Sequence, residues 1–313
     1  MKFIPKHYLL SDPSFWDPVF IEWNYTDTIL LTSYDLLRND ALIYVLHSNS
    51  MTLKELMKEN GFPKNTKIFA DSGIFMLEWF KLTKSKTFKQ DYSNVNLPIE
   101  EIIEGYKLID PDYLVAPDEI ILPNEKEEVV KEKTERIKEG ILKTLDEFPK
   151  QKIVGVIQGT RKETMDEIYD FGKSNGITIF ARGGLIPIKR RNNLYCNVLK
   201  YSRQLTSEKI LHAFGIVDLD QIKCYGKCAQ IDSFDSTIVR ALTAELYWID
   251  TKLTKHRFND QVIKDCDCIY CRYLTEINLD KYDFASKIIM QNLYLHNIIT
   301  IYDQCNKMKN FKN

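Results

Sequence analysis

The most constraining feature of the chain is a repeated pattern in which short apolar runs end in Gly, Pro or Asp. Such runs predict buried strands that end in polar turns. Charged stretches with helical periodicity separate the later runs, and this alternation indicates a parallel sheet with helical crossovers. Eight runs fit the strand pattern: TILLTSYD (28–35), ALIYVLHS (41–48), TKIFADSG (66–73), DYLVAPDE (112–119), KIVGVIQG (152–159), ITIFARGG (177–184), KILHAFGI (209–216) and CAQIDSFD (228–235).

Helices are predicted between the later strands and after the last one. The helical stretches are residues 98–109, 123–147, 161–175, 190–206 and 236–251. Eight strands in 313 residues predict an α/β fold, a (β/α)₈ TIM-like barrel. A doubly wound open sheet is the structural alternative. We expect one domain that spans residues 1–313.

Composition limits the compartment and the partners. The formal net charge of −1 gives no overall basic field, so a nucleic acid would be held by local patches. Two basic runs, 81–89 and 188–193, are either solvated loops or phosphate contacts. The N-terminal segment lacks the pattern of a secretory signal, and no apolar run suits a bilayer. We expect a cytoplasmic protein without membrane contact or stable disulfides.

Polar residues and glycines cluster at the carboxyl ends of the predicted strands. In a barrel these ends converge on one mouth, where active sites lie. We therefore expect the following residues to share one site: Asp71, Asp118, Gln158, Gly183, Gly184 and Asp235. His212 also ends a predicted strand, and we expect it to be a packed residue.

Three cysteines lie within six residues, in the sequence CDCIYC. Cys266, Cys268 and Cys271, with His296 on a predicted helix, supply three thiolates and one imidazole, which is a closed Cys₃His zinc set. The alternative is that these thiols are unpaired and buried. We expect a structural zinc in a subdomain of about residues 255–300. The remaining cysteines are expected to be core or surface thiols: Cys196, Cys224, Cys228 and Cys305.

The motifs together resemble the tRNA-guanine transglycosylase family, whose members exchange guanine in a nucleic acid for a 7-deazaguanine on a zinc-bearing (β/α)₈ barrel. The resemblance covers roughly residues 65–300 and follows the family's order. Its blocks are FADSGIF, LVAPDEI, VGVIQG, ARGGL, HAFGI, IDSFDS and CDCIYC with His296.

The resemblance implies a role for each matching residue. Asp235 would be the nucleophile and Asp71 the general acid/base. Asp118 would bind the guanine edge, and Gln158 would also hold the base. The remaining implied substrate-binding residues are Ser72, Gly183, Gly184 and Leu185. The zinc ligands would be Cys266, Cys268, Cys271 and His296.

The residue types suit this chemistry. Asp235 would attack the sugar C1′ and form a covalent glycosyl-aspartate, and Asp71 would deprotonate the incoming base. A carboxylate such as Asp118 accepts the N1–H and N2–H of guanine, and glycines let the backbone approach a flat ring. The target nucleotide must first leave its stack.

Each position also has a purely structural interpretation. Asp71 and Asp235 each precede a helix and would suit an N-cap. Asp118 would suit a turn after a proline, and the Gly pair would suit a strand-to-helix turn. Asp232 is an alternative nucleophile, because it lies only three positions before Asp235.

Several positions depart from the pattern of the tRNA enzymes. Ile74 replaces a glycine, Ser236 stands at the place of a cysteine, and Lys189 lies near the position of a glutamate. A cation near that glutamate position disfavours a cationic substrate tail and is compatible with 7-cyano-7-deazaguanine. We also expect no room for the C-terminal RNA-binding domains of the archaeal enzymes.

These departures are similar to the DNA-modifying branch of the superfamily, which occurs in phages and bacterial DNA-modification clusters. The resemblance therefore implies DNA modification, in the host cytoplasm if the protein is phage-encoded. The alternatives are an ordinary tRNA enzyme, a non-catalytic nucleic-acid-binding relative, and a zinc-stabilised metabolic barrel. The resemblance also implies dimerisation, for which the sequence shows no interface.

Overall fold

Eight parallel strands form a ring at the centre of the molecule, and helices cover its outside. The computed structural model describes residues 1–7, 10, 16, 26–75, 97–207, 209–216, 218–228, 230–258, 266, 268, 270–272 and 287–310. The basic run 81–89 lies outside the described residues. The strands are β1 (Lys2–Pro5), β2 (Thr28–Thr32), β3 (Lys67–Asp71), β4 (Tyr113–Val115), β5 (Ile153–Ile157), β6 (Ile179–Arg182), β7 (Ile210–Ala213) and β8 (Ser233–Ser236).

The ring is nearly closed. Neighbouring strands pair in the order β1-β8-β7-β6-β5-β4-β3-β2. The two end strands then meet just beyond β1, where Lys6 forms a parallel bridge with Leu30 and the His7 N–H donates to the Leu30 carbonyl at 2.9 Å. The predicted TIM-like barrel is thereby confirmed, and the open-sheet alternative is wrong.

Helices pack against the outer face of the strands and bury one side each. In the long helix after β4, Val130, Ile137 and Ile141 are buried at helical spacing. The helices are α1 (Ser33–Leu37), α2 (Asp40–Ser48), α3 (Leu53–Glu59), α4 (Ile99–Ile109), α5 (Glu127–Glu147), α6 (Lys162–Ser174), α7 (Asn192–Thr206), α8 (Leu219–Cys228), α9 (Ile238–Ala244) and α10 (Lys287–Asn310). The helices predicted over 98–109, 123–147, 161–175 and 190–206 are α4 to α7 and are confirmed.

One of the eight predicted strands is wrong. The run at 41–48 forms α2, which the Asn39 side chain caps by accepting from the Leu42 N–H at 3.0 Å. Tyr44 is 74% exposed and Leu46 is 1% exposed, so the apolar run covers one side of a helix. A short apolar run cannot by itself distinguish a strand from a helix. The eighth strand is β1, whose four residues are too few to give a sequence pattern.

The helix predicted over 236–251 is only partly correct. It ends as α9 at Ala244, and Leu246 takes a left-handed conformation with φ of 57°. The chain then forms a short antiparallel pair of strands, β9 (Tyr247–Ile249) and β10 (Lys255–Arg257). The helix α8 was not predicted from the sequence.

Strand residues alternate between the barrel interior and the helix layer, as the two-residue period of a strand requires. In β5, Val154 and Val156 belong to the interior cluster, while Ile153 and Ile157 pack with the helices. The interior cluster consists of Ile4, Leu30, Phe69, Val115, Val154, Val156, Ile179 and Ala181. The next inward position beyond this layer therefore lies at the carboxyl-end mouth of the barrel.

Candidate active site and metal centre

A cavity of about 110 Å³ opens at the carboxyl end of the barrel. Several of its polar residues stand two positions beyond an interior residue, as Asp71 does after Phe69 and Gln158 does after Val156. The strand period therefore aims these side chains inward. The lining residues are Lys6, Leu30, Thr32, Asp71, Phe75, Asp118, Gln158, Gly183, Gly184, Leu185, Ile186, Phe214, Gly215, Asp235 and Thr237.

Asp71 ends β3 and faces this cavity. Burial and the negative charge of Asp235 raise the pKa of the Asp71 carboxyl to about 6. The charge of Lys6 and the backbone N–H groups of Gly73 and Ser72 act in the opposite direction. A carboxyl with a pKa near neutrality can both donate and accept a proton, which is the property of a general acid/base.

Asp235 lies on β8 and is 8% exposed. Its Oδ1 accepts a hydrogen bond from the Gly215 N–H at 3.1 Å and lies 3.4 Å from Nε2 of His212. The His212 ring is fully buried between the rings of Phe69 and Phe214, as a packed residue is expected to be. Asp235 therefore presents a fixed carboxylate to the cavity.

Asp232 immediately precedes β8, at the end of the strand away from the cavity. Its Oδ2 pairs with Arg203 at 2.5 Å and accepts from the Leu211 N–H at 2.8 Å. The Asp232 side chain is 51% exposed and is not part of the cavity lining. Of the two candidate nucleophiles, only Asp235 faces the cavity.

The Asp118 carboxylate and the Gln158 amide oxygen line the cavity opposite the carboxyl end of β8. We call this hydrogen-bond-accepting surface the acceptor wall. The Gln158 Nε2 donates to the Asp118 Oδ2 at 2.6 Å, which fixes the orientation of the amide. The Gln158 Oε1 is buried and finds no hydrogen-bond partner among the described residues. An unpaired buried acceptor is costly, so a ligand that donates a hydrogen bond here would relieve that cost.

Gly183 and Gly184 lie directly against the Gln158 amide. A Cβ on Gly183 would come within 2.3 Å of Gln158 Nε2, and one on Gly184 would come within 2.7 Å of Gln158 Oε1. Gly184 also has a φ of +64°, which L side chains rarely adopt. The glycine pair is therefore required by the position of the amide as well as by the turn.

Not every residue predicted for the site lines the cavity. Leu185 does so and is 1% exposed. Ser72 is buried outside the lining, where its hydroxyl accepts from the Ile74 N–H at 3.2 Å and shapes the turn after β3. The sequence patterns did not predict some of the lining residues, notably Lys6, Phe75 and Phe214. Phe214 belongs to the quoted motif HAFGI, whereas β1 is too short to give a sequence pattern that would have indicated Lys6.

The predicted metal ligands come together beside β9 and α10. The ligand atoms of Cys266, Cys268, Cys271 and His296 all lie within 4.8 Å of one another. The three Sγ atoms lie 3.7, 3.6 and 3.0 Å from Nδ1 of His296. Tetrahedral Zn²⁺ sets its sulfur and nitrogen ligands roughly 3.5 to 3.8 Å apart, so this donor set fits a structural zinc.

His296 is oriented for this role by its second ring nitrogen. Its Nε2 donates to the Ile249 carbonyl of β9 at 2.9 Å, which leaves Nδ1 to face the cysteines. Burial alone lowers the pKa of His296, but hydrogen bonds to the Cys266 and Cys268 sulfurs outweigh this effect and raise it to about 9. A hydrogen bond from Cys271 lowers the pKa of Cys268 to about 4. The hydrogen bond with Cys268 and burial raise the pKa of Cys271. A bound cation would favour the deprotonated thiols and so remove this competition for protons.

The other cysteines lie apart from this cluster or have side chains that the structure does not describe. Cys305 is fully buried on α10, and Cys196 is partly buried on α7. Cys224 and Cys228 lie on α8, and their side chains are outside the described residues.

Comparison with known proteins identifies the family. A family model described as queuine tRNA-ribosyltransferase matches residues 25–311. The chain belongs to this family, and therefore to the tRNA-guanine transglycosylase superfamily. The membership supports a guanine transglycosylase activity on a nucleic acid, and a pentosyltransferase class of enzyme. No curated protein matches the chain. None of the described helices is both long and apolar enough to cross a membrane.

The raised pKa of Asp71 predicts a stability effect. Because the folded pKa of about 6 exceeds the ordinary 3.8, the folded state holds the Asp71 proton more tightly than the unfolded state. Stability is therefore lost as the pH rises from 4 to 6. Asp71→Asn removes this loss and should raise the free energy of unfolding by about 3 kcal/mol above pH 6, with no gain at pH 4. Denaturant unfolding across this pH range measures the difference.

The matched control is Asp220→Asn, because the Asp220 side chain is 87% exposed and pairs only loosely with Lys223 at 3.2 Å. This variant should leave the stability unchanged at every pH. An Asp71→Asn variant that is no more stable than wild type at pH 7 would contradict the raised pKa.

Removal of zinc is predicted to loosen α10 from the barrel. Cys271→Ser should lose the metal and lower the melting temperature by about 5 °C or more, because structural zinc binding contributes folding free energy. Metal content is measured by elemental analysis and the melting temperature by calorimetry. Cys196→Ser is the control and should keep both values. Retention of zinc and melting temperature in Cys271→Ser would refute the ligand set.

Proposed function

We propose that the protein is a base-exchange transglycosylase that replaces guanine in a nucleic acid by a 7-deazaguanine through a covalent glycosyl-aspartate. The observation that carries the proposal is the joint placement of Asp71 and Asp235 in one cavity beside an acceptor wall. One carboxylate is fixed by a backbone N–H, and the other has a pKa near neutrality. Their different environments suit one as the nucleophile and the other as the acid/base.

In the first half-reaction, an Asp235 carboxylate oxygen attacks C1′ of the target nucleotide. The bond from C1′ to guanine N9 breaks, and its electron pair leaves with the base. The protonated form of Asp71 supplies the proton that the departing guanine needs. The product is a glycosyl ester on Asp235, free guanine and an ionised Asp71.

In the second half-reaction, the incoming 7-deazaguanine gives its N9 proton to Asp71. Its N9 then forms a bond to C1′, and the ester bond to Asp235 breaks. Both carboxyl groups return to their starting states, so the cycle balances without an added reactant. Two displacements at C1′ retain the configuration of the sugar.

The acceptor wall is suited to the base itself. Guanine presents N1–H and N2–H donors on its Watson–Crick edge. The Asp118 carboxylate and the unpaired Gln158 Oε1 are acceptors that match such donors. The glycine pair lets the backbone approach the ring. Phe75 and Phe214 add aromatic surface to the cavity.

DNA is the favoured nucleic acid, with tRNA as the alternative that the name of the matching family model suggests. The support for DNA is the set of departures from the tRNA enzymes. Ser236, at the place of a cysteine, is 3% exposed and accepts from the Ile238 N–H at 3.1 Å, so it shapes the turn after β8. Lys189 is exposed beyond Ile188, and its charge suits a neutral base such as 7-cyano-7-deazaguanine.

Zinc has a structural part in this proposal. Cys266, Cys268, Cys271 and His296 would hold it, and a full set of protein ligands leaves no position for a reacting water. The ion would stabilise a subdomain of about residues 255–300. This subdomain belongs to a single barrel domain that spans residues 1–313.

The direct test is exchange of radiolabelled guanine into bulk tRNA and into double-stranded DNA, assayed side by side. We expect incorporation into DNA. Asp235→Ala should lower the rate by at least about 1,000-fold, because the nucleophile is lost. Asp71→Ala should lower it by about 100-fold or more, as expected for loss of an acid/base.

Asp232→Asn is the matched control, since it changes a carboxylate that immediately precedes β8, at the end of the strand away from the cavity. It should keep the wild-type rate. Incorporation into tRNA alone would contradict the choice of DNA. An Asp235→Ala variant as active as wild type would contradict the mechanism, and no incorporation of any base into either nucleic acid would favour a non-catalytic relative.

A second prediction concerns how the nucleic acid is held. Arg190 and Arg191 are exposed in the loop that follows the glycine pair, and neither pairs with a described carboxylate. Changing both to Gln should weaken nucleic-acid binding and reduce the slope of log K against log salt by about 2, as expected for the loss of two phosphate contacts. Fluorescence anisotropy over a salt series measures this slope.

The control changes Lys150 and Lys152 to Gln. These residues form the turn that precedes β5, at the opposite end of the barrel. The same two charges are lost, but the salt slope should remain that of wild type. Equal effects of both double variants would mean that the loop at 188–193 is a solvated loop and that binding depends on net charge alone.

A further inference from the structure

Lys6 brings a positive charge into a cavity that is otherwise acidic. Among the described residues that line the cavity, it is the only one with a cationic side chain, and it faces three carboxylates there: Asp71, Asp118 and Asp235. The side chain is 10% exposed, so water screens its charge poorly. A lysine in such a place is expected to have a role beyond solubility.

The backbone of Lys6 is fixed by the closure of the barrel. It forms the parallel bridge with Leu30 that joins the two ends of the sheet. Its carbonyl accepts a hydrogen bond from the Tyr294 hydroxyl of α10 at 3.0 Å. Because Ile4 points into the barrel interior, the two-residue period directs the Lys6 side chain to the mouth.

The ammonium is also held in place. Its Nζ lies 3.5 Å from the Asp35 Oδ2. Asp35 stands in the first turn of α1 and accepts from the Thr32 hydroxyl, so it is itself anchored. An ammonium has three N–H donors, so the pair with Asp35 is compatible with further contacts at the cavity.

We propose that Lys6 is a positioning residue of the base-exchange site, whose ammonium stabilises the ionised form of the Asp71 carboxyl group in this acidic cavity. The inference rests on the proposed function for its catalytic meaning. In the second half-reaction Asp71 must be ionised before it can accept the N9 proton of the incoming base. A fixed cation near Asp71 lowers the energy of this ionised state.

The groups that face Asp71 come from several elements. They are Lys6 beyond β1, Asp235 on β8, Tyr106 on α4 and Asp118 beyond β4. Lys6 is the member of this set that lowers the pKa of Asp71, whereas Asp235 raises it. Loss of the Lys6 charge therefore shifts the Asp71 pKa further upward.

The test measures the titration directly and does not require turnover. Protein labelled with ¹³C at the aspartate carboxyls is titrated by NMR, and Asp71→Asn assigns the resonance that titrates near pH 6. Lys6→Met keeps most of the side-chain volume and removes the charge. We expect its Asp71 resonance to titrate about one pH unit higher than in wild type, and Lys6→Arg to restore the wild-type value.

Lys2→Met is the matched control. Lys2 lies on the same strand at its amino end, where it pairs with Asp27 and donates to the Thr28 hydroxyl at 2.7 Å. The Lys2→Met variant loses the same charge outside the cavity, so the pH at which the Asp71 resonance titrates should not change. An unchanged titration in folded Lys6→Met, or an equal shift in Lys2→Met, overturns the proposal.

Exchange rates separate this inference from the proposed function. In Lys6→Met the acidic limb of the pH–rate profile, which reports the ionised Asp71 that the second half-reaction needs, should move upward by the same one unit. The rate should therefore fall about fivefold at pH 6 and hardly at all at pH 8. If wild type exchanges no base but the titration shifts as expected, the proposed function fails and the electrostatic role of Lys6 stands. If exchange occurs and the limb does not move, the inference fails alone.

Discussion

The site depends on one constraint, the two-residue alternation of strands that close into a ring. Alternation fills the barrel interior with an apolar layer that includes Ile4, Phe69 and Val156. The next inward positions then carry Lys6, Asp71 and Gln158 to one mouth. Burial at this mouth leaves charges poorly screened, and burial together with the charge of Asp235 raises the Asp71 pKa to about 6.

Closure of the ring connects the active site to the metal centre. The two ends of the sheet join at Lys6, and α10 contacts Lys6 through Tyr294. The same helix carries His296, whose imidazole is tied to β9 and to the cysteine cluster. A structural zinc would therefore stabilise the helix that helps to hold the one cationic side chain found among the described lining residues of the cavity. The metal centre would then influence the chemistry without contacting the substrate.

Sequence reasoning located the strand-end residues because each ends an apolar run with a recognisable polar turn, as in FADSG and VIQG. It failed where the local pattern was too short or ambiguous. The run at 41–48 is a one-sided helix with the composition of a strand, and β1 has only four residues. Because β1 was not predicted, nothing in the sequence placed Lys6 beside the cavity. The contact of Ser72 with the Ile74 N–H and the separation of Asp232 from Asp235 along β8 also required the fold.

The proposed mechanism requires Asp235 to form a covalent bond with the sugar of the target nucleotide. The measurement that tests it most directly incubates the protein with a ³²P-labelled guanine-containing DNA duplex and no incoming base, quenches in denaturant, and maps any protein–DNA adduct by mass spectrometry. We expect an adduct on the peptide that contains Asp235, absent in Asp235→Asn and present in Asp232→Asn. An adduct at another residue, or active exchange with no adduct under any quench condition, would contradict it.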